Sequence, residues 1–302
     1  MLQWHNMPLR RRPYQRSTKL VPIRLTFRDI RILETIHAFD GLLSLKQIDL
    51  LFFSGQGRSQ PRARMRALFD NDYVQMPDLE AIHKVPLGEA VYWLDRKGAS
   101  IVAGLQGKKL SEFKWRRKPR FAQIEHDLRV NDFYIAVRKA CQRDNNLHLV
   151  TWLPESEFAM QPDRVSFETL SGKLRERTMQ PDGYFAIERQ ASFGRLKQFN
   201  FLLEIDMGTE DNPRFAREKV RPGVAYLKSE SYANRFGTRH GRYLIVTSGE
   251  RRMRNMKSQT ERNGGNGLFY FSTFEDIKSG SVLTAPAWLL AGHDKRRRIV
   301  PL

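Results

Sequence analysis

Cysteine is almost absent from the 302 residues: Cys141 stands alone, which excludes an intrachain disulfide and a cysteine-based zinc cluster. No run of eighteen apolar residues occurs, so no membrane-spanning helix is predicted, and the N-terminus lacks the apolar segment of a secretory leader. These absences point to a reducing cytoplasm. The histidines His5, His37, His83, His126, His148, His240 and His293 are isolated from one another, so they form no paired metal site of the kind that accompanies a nicking tyrosine in relaxases. There is no phosphate-cradling Gly-Lys loop and no Gly-x-Ser-x-Gly elbow, which argues against a nucleotide-driven motor and an α/β hydrolase. Negative charge is also scarce: 33 Asp and Glu face 52 Lys and Arg, a formal charge of +19. That excess predicts a polyanionic partner, with duplex nucleic acid first. A membrane-surface protein would share the charge, but no amphipathic or lipidated anchor accompanies it.

What is present suffices for two folded domains, since 40% of the residues are hydrophobic and 11% aromatic. Residues 1–24 hold Arg10, Arg11, Arg12, Arg16, Lys19 and Arg24 without an acidic residue and read as a flexible basic arm. From Thr26 the apolar residues Phe27, Ile30, Leu33 and Ile36 recur at helical spacing, and Thr26 with Asp29 resembles a capping box. A second capping box, Ser44 with Gln47, opens a short helix, and a Gly-containing turn at 54–57 leads to a third helix from Ser59. Two strand-like runs, 73–76 and 90–94, then suggest a hairpin.

That order predicts a winged helix-turn-helix domain over 25–104, with Arg58, Arg62, Arg64 and Arg66 on the helix nominated to meet DNA. Residues 105–120, carrying Arg116, Arg117 and Lys118, read as a basic linker contacting phosphates. The second domain, 121–290, is expected to run helix (124–141), strand (147–153), charged insertion ending at Arg177, strands near 184–187 and 199–205, helix after Pro213, and strand 243–246. Residues 291–302, with Lys295 to Arg298, read as a basic tail.

This αβββαβ order resembles the core of the PD-(D/E)XK nucleases, so the expected class is α+β or α/β. In that core the metal ligands fall where Asp182 and Glu204 stand. Asp206, two residues on, and Glu125, on the first helix, could add oxygen ligands for Mg²⁺, with Mn²⁺ as its substitute. The nuclease pattern usually places Lys where Asp206 stands, and Lys219 from the following helix is the nearest replacement. Two outcomes stay open: metal-assisted nicking through Asp182, Glu204 and Lys219, or a nuclease-like fold that holds DNA without cutting it.

Several short motifs also resemble the replication-relaxation family of plasmid and mobile-element proteins: Leu25-Thr26-Phe27-Arg28-Asp29, Leu94-Asp95-Arg96-Lys97-Gly98, His126-Asp127-Leu128-Arg129-Val130-Asn131, Pro181-Asp182-Gly183 and Leu203-Glu204-Ile205-Asp206-Met207-Gly208-Thr209-Glu210. The resemblance implies DNA binding in replication, relaxation or transfer of a mobile element. The alternative is a regulator or scaffold that recruits replication or recombination proteins.

Overall fold

The structure, a computed structural model, describes residues 14–53, 59–78, 80–85, 90–169, 171–190, 195–209, 211–278 and 281–301. It mixes helices with mixed sheets and divides into two compact units, Met1–Leu128 and Arg129–Leu302. Among the described residues no helix is long and apolar enough to cross a membrane.

In the first unit α1 (Phe27–Ala38), β1 (Leu43–Ser44), α2 (Leu45–Phe52), α3 (Ser59–Asp70), β2 (Val74–Gln75), β3 (Val91–Leu94) and α4 (Arg96–Leu105) follow in order. Both capping boxes form: the Thr26 hydroxyl accepts from the Asp29 amide while Asp29 accepts from the Thr26 amide at 2.6 Å, and Ser44 and Gln47 exchange the same pair of bonds. β3 pairs with β2, as the hairpin reading requires, and also with β1, giving a three-stranded sheet in the order β1-β3-β2. The helices bury Ile32, Leu33, Ile36, Ile48, Met65 and Leu68 against it.

Part of the expected flexible arm and the expected phosphate-contacting linker are fastened to this unit. In the stretch before α1, Arg16 forms ion pairs with Asp72 and Asp95, and the Ser17 amide donates to Asp70 at 3.0 Å. The segment 105–120 packs inward through buried Phe113 and through Arg116, which pairs with Asp40 at 2.7 Å and Asp127 at 3.4 Å. Opposite charges supplied by distant parts of the chain capture cations that composition alone marks as solvated.

α5 (Ile124–Arg143) leads into the second unit, which continues β4 (Leu147–Pro154), α6 (Glu155–Met160), β5 (Asp163–Glu168), β6 (Leu174–Met179), β7 (Gly183–Gln190) and β8 (Leu196–Ile205). After β8 come α7 (Asn212–Phe215), a π-helical turn (Ala216–Val220), α8 (Arg221–Leu227), α9 (Glu230–Phe236), β9 (Arg242–Thr247), α10 (Glu250–Arg262), β10 (Phe269–Thr273), α11 (Phe274–Lys278), β11 (Trp288–Leu290) and β12 (Arg296–Arg297). The central sheet has seven strands in the order β12-β11-β10-β9-β8-β7-β4. β4, β7 and β8 form an antiparallel meander, whereas β8, β9 and β10 run parallel, joined through helical crossovers. Near-continuous apolar runs such as Phe201-Leu202-Leu203 and Leu244-Ile245-Val246 are buried on both faces of this sheet, as a covered parallel region demands.

The expected charged insertion is a structured piece, α6 followed by the β5–β6 hairpin, which buries Val165 and Phe167. The expected basic tail is also part of the fold. Arg296 and Arg297 form the terminal strand of the central sheet, Arg296 pairs with Asp276 at 2.9 Å and Glu250 at 2.8 Å, and Ile299 and Val300 are buried.

Candidate functional site

The neighbouring ends of β7 and β8 bring Asp182 and Glu204 together. The Asp182 amide donates to the Leu203 carbonyl at 3.0 Å, and its carboxylate accepts from the Ile205 amide at 2.6 Å, two bonds that bracket Glu204. Both carboxylates are 8% exposed. Such burial is costly for anions unless a cation or donor compensates.

Lys219 supplies the cation. It stands in the π-helical turn between α7 and α8, and its Nζ forms an ion pair with Glu204. A π turn rotates side chains away from their α-helical directions and is a recurrent device at functional positions. Burial alone would lower the Lys219 pKa, but the charges of Glu204 and Asp182 outweigh it and push the group up to about 12. Lys219 is therefore protonated at neutral pH and cannot accept a proton there.

Of the other two expected carboxylates, Asp206 is engaged elsewhere. Asp206 lies one residue past β8, where Arg252 grips it with a fork, Nε to Oδ2 at 2.5 Å and Nη2 to Oδ1 at 2.7 Å, and Thr247 donates to it. Glu125 is exposed and belongs to the first unit. Among the described residues no three His, Cys, Asp or Glu side chains cluster as a metal set. Among the described contacts, the arrangement joins two carboxylates and a lysine.

Sequence reasoning placed Arg177 in the charged insertion and Arg252 on a basic helix face with Arg251, Arg254, Lys257 and Arg262, and did not connect either to this site. Arg177, on β6, pairs with Glu218 beside Lys219, and its charge opposes protonation of Lys219. Each partner lies about forty residues away in sequence, at separations of 41 and 46, where no local spacing rule reaches.

The expected DNA contacts divide by environment. Arg58 lies outside the described residues, as do the Gly-containing turn at 54–57 and Glu210. Arg64 is committed inward: its Nε donates to Asp29 at 2.7 Å and its Nη2 to the Arg24 carbonyl at 3.0 Å. Arg66 donates to the Gln15 carbonyl, lies 3.5 Å from Asp70 and covers the Phe69 ring. Arg116 is held by its two aspartates. Arg62, Arg117 and Lys118 are exposed.

The motifs have physical reasons. Asp95 caps α4 through the Arg96 amide at 2.6 Å, and a Cβ at Gly98 would stand 2.1 Å from the Tyr73 carbonyl oxygen, so only glycine fits. Leu128 accepts from Gln47 at 2.9 Å, and Asp127 binds Arg120 at 2.7 Å.

No curated protein and no solved structure matches the chain. Residues 33–238, more than half of it, match the replication-relaxation family, and they include the second capping box, α3, Asp95 to Gly98, Asp182, Glu204 and Lys219. The chain belongs to the replication-relaxation family, which points to a role in the replication or relaxation of a plasmid or mobile element.

Proposed function

We propose that this protein binds duplex DNA of a mobile element through a winged-helix first unit and nicks it with a PD-(D/E)XK-like second unit. The observation that carries the reading is Lys219 paired with Glu204 beside Asp182. It supplies from the following helical segment the positive charge that the strand lacks at Asp206. The surrounding order supports it: α5, the antiparallel β4-β7-β8 meander, a helical crossover, and β9 parallel to β8. In the first unit, helices α1 to α3 followed by the β2–β3 pair support the winged-helix reading, with exposed Arg62 on α3 and exposed Arg117 and Lys118 as phosphate contacts.

Asp182 and Glu204 fit one Mg²⁺, a hard cation that takes one or two carboxylates and completes its shell with water and substrate phosphate. When bound, the ion would activate water and offset charge on the phosphate. Lys219, paired with Glu204, balances the two carboxylates and offers positive charge to the phosphodiester.

The test is nicking of supercoiled DNA in Mg²⁺ or Mn²⁺. Asp182→Ala and Glu204→Ala should abolish it, and Lys219→Ala should lower the rate about a hundredfold, the scale of losing one charge-stabilising donor. Undiminished cutting by the two carboxylate variants would remove this site from the reaction. A second reading, holding without cutting, draws on the Asp182 carboxylate already engaged by the Ile205 amide. It predicts duplex binding in EDTA and an intact supercoiled substrate in either metal.

A further inference from the structure

Helix α10 is amphipathic in an unusual sense: its inner face buries Met253, Met256, Lys257 and Thr260, and its outer face is basic. At 100° per residue, Arg251, Arg254, Asn255, Ser258 and Arg262 fall within one stripe about 100° wide. Arg251, Arg254, Asn255 and Arg262 are exposed, and Ser258 is half-buried. The remaining cations of the helix are otherwise employed. Arg252 forks onto Asp206, and Lys257 pairs with Glu261 at 2.6 Å. Glu250, at the edge of the stripe, is neutralised by Arg254 at 2.6 Å and Arg296 at 2.8 Å.

Two features fix this stripe relative to the carboxylates. The Arg252 fork pins the first turn of α10 to Asp206, two residues beyond Glu204. α10 also packs against α7 and the π-helical turn that carries Lys219. An open cleft lined by Gly249, Glu250, Arg251, Arg252 and Asn255 lies at that end of the helix. The outer faces of α7 and the turn add Arg214 and Arg217, both exposed.

We infer that the outer face of α10 is a DNA-backbone surface of the second unit, seating the phosphates of the duplex next to the Asp182–Glu204–Lys219 site. The stripe extends over about 16 Å of helix from Arg251 to Arg262, enough to follow several phosphates at 3.4 Å of axis each per strand. Its guanidiniums suit phosphate oxygens, and Asn255 and Ser258 add neutral donors that position the backbone without reading bases. This surface rests on the proposed DNA-binding function but not on catalysis.

The experiment is equilibrium binding of the full chain to a duplex in EDTA across a salt series. Combined Arg251→Gln, Arg254→Gln and Arg262→Gln should weaken binding at least tenfold at low salt and flatten the log–log salt slope by about 2 to 3, near 0.9 per lost phosphate contact. The thermal midpoint should hold, because the altered side chains are exposed. Unchanged affinity and slope in the triple variant, with binding still weakened by Arg62→Ala, would overturn the α10 surface and leave the proposed function standing. Failure of the unaltered protein to bind duplex at any salt would overturn both.

Discussion

Arg62 and Arg64 are two residues apart on α3 and carry the same charge, yet their surroundings give them different work. Arg64 compensates Asp29, which is fully buried, and Asp29 in turn caps α1. Burial alone would raise the Asp29 pKa, but hydrogen bonds from Arg64 and Thr26 hold it below its ordinary 3.8. Arg64→Ala would strand that carboxylate, so it should cost about 3 kcal/mol, the lower end for breaking a buried pair with one partner partly exposed. Arg62→Ala should leave the unfolding midpoint unchanged and weaken DNA binding instead. Denaturant titration of both variants, with binding measured in parallel, separates the two roles; equal stability losses would refute the assignment. The pH dependence follows from the sign. A carboxylate depressed in the folded state contributes stability that is complete above its unfolded pKa near 3.8 and disappears as pH falls through the lower folded value. The difference in stability between the parent protein and Arg64→Ala should therefore narrow below about pH 4. At this scale the sequence was legible where partners are local. Both capping boxes stood at their three-residue spacing, whereas the Arg64–Asp29 pair spans 35 positions and left Arg64 indistinguishable from Arg62.

The β5–β6 hairpin shows what an element can do for a site without entering it. Arg177 on β6 pairs with Glu218 in the π-helical turn, Arg221 of α8 donates to the Glu168 carbonyl at 3.1 Å, and Tyr226 and Arg235 bind Asp163. The hairpin thus braces the turn next to Lys219, the residue that must reach Glu204. Arg177→Ala should free that turn and expose Lys219 to amine-selective acylation several-fold faster, read by mass spectrometry, with Arg177→Lys restoring much of the protection. An unaltered Lys219 labelling rate would show that the hairpin does not position it. The hairpin was unreadable because its strands are short and charged: Arg164, Ser166 and Glu168 alternate with Val165 and Phe167 on β5, β6 buries only Met179, and so few inward residues make a weak signal. The core strands were readable because Phe201-Leu202-Leu203 and Leu244-Ile245-Val246 exceed any surface pattern. β12, two arginines long, takes its place only because Asp276 and Glu250 receive Arg296.

For the whole molecule, a formal charge of +19 overstates the surface available to a polyanion. Arg16, Arg64, Arg116, Arg177, Lys219, Arg252, Lys257 and Arg296 are each spent on internal carboxylates. Composition predicts a partner class without locating contacts; burial and pairing narrow the candidates, and exposed Arg62, Arg117, Lys118 and the outer face of α10, where Arg254 is shared with Glu250, are among the cations that stay at the surface. A general consequence is testable without knowing the target sequence. Ligand that binds only the folded state stabilises it by RT ln(1 + [L]/Kd), about 2.7 kcal/mol at a hundred times Kd. A nonspecific duplex in EDTA should therefore raise the thermal midpoint at 50 mM salt. The rise should fade by 200 mM as counterions compete for the phosphates, an interval over which six to ten contacts lose about 10³ to 10⁵ in affinity. Asp182→Asn and Glu204→Gln should preserve this shift, because binding through the basic surfaces does not need the carboxylates. A midpoint indifferent to duplex at low salt would remove DNA as the partner and favour a protein-recruiting scaffold, whose stabilisation would come from a replication protein instead.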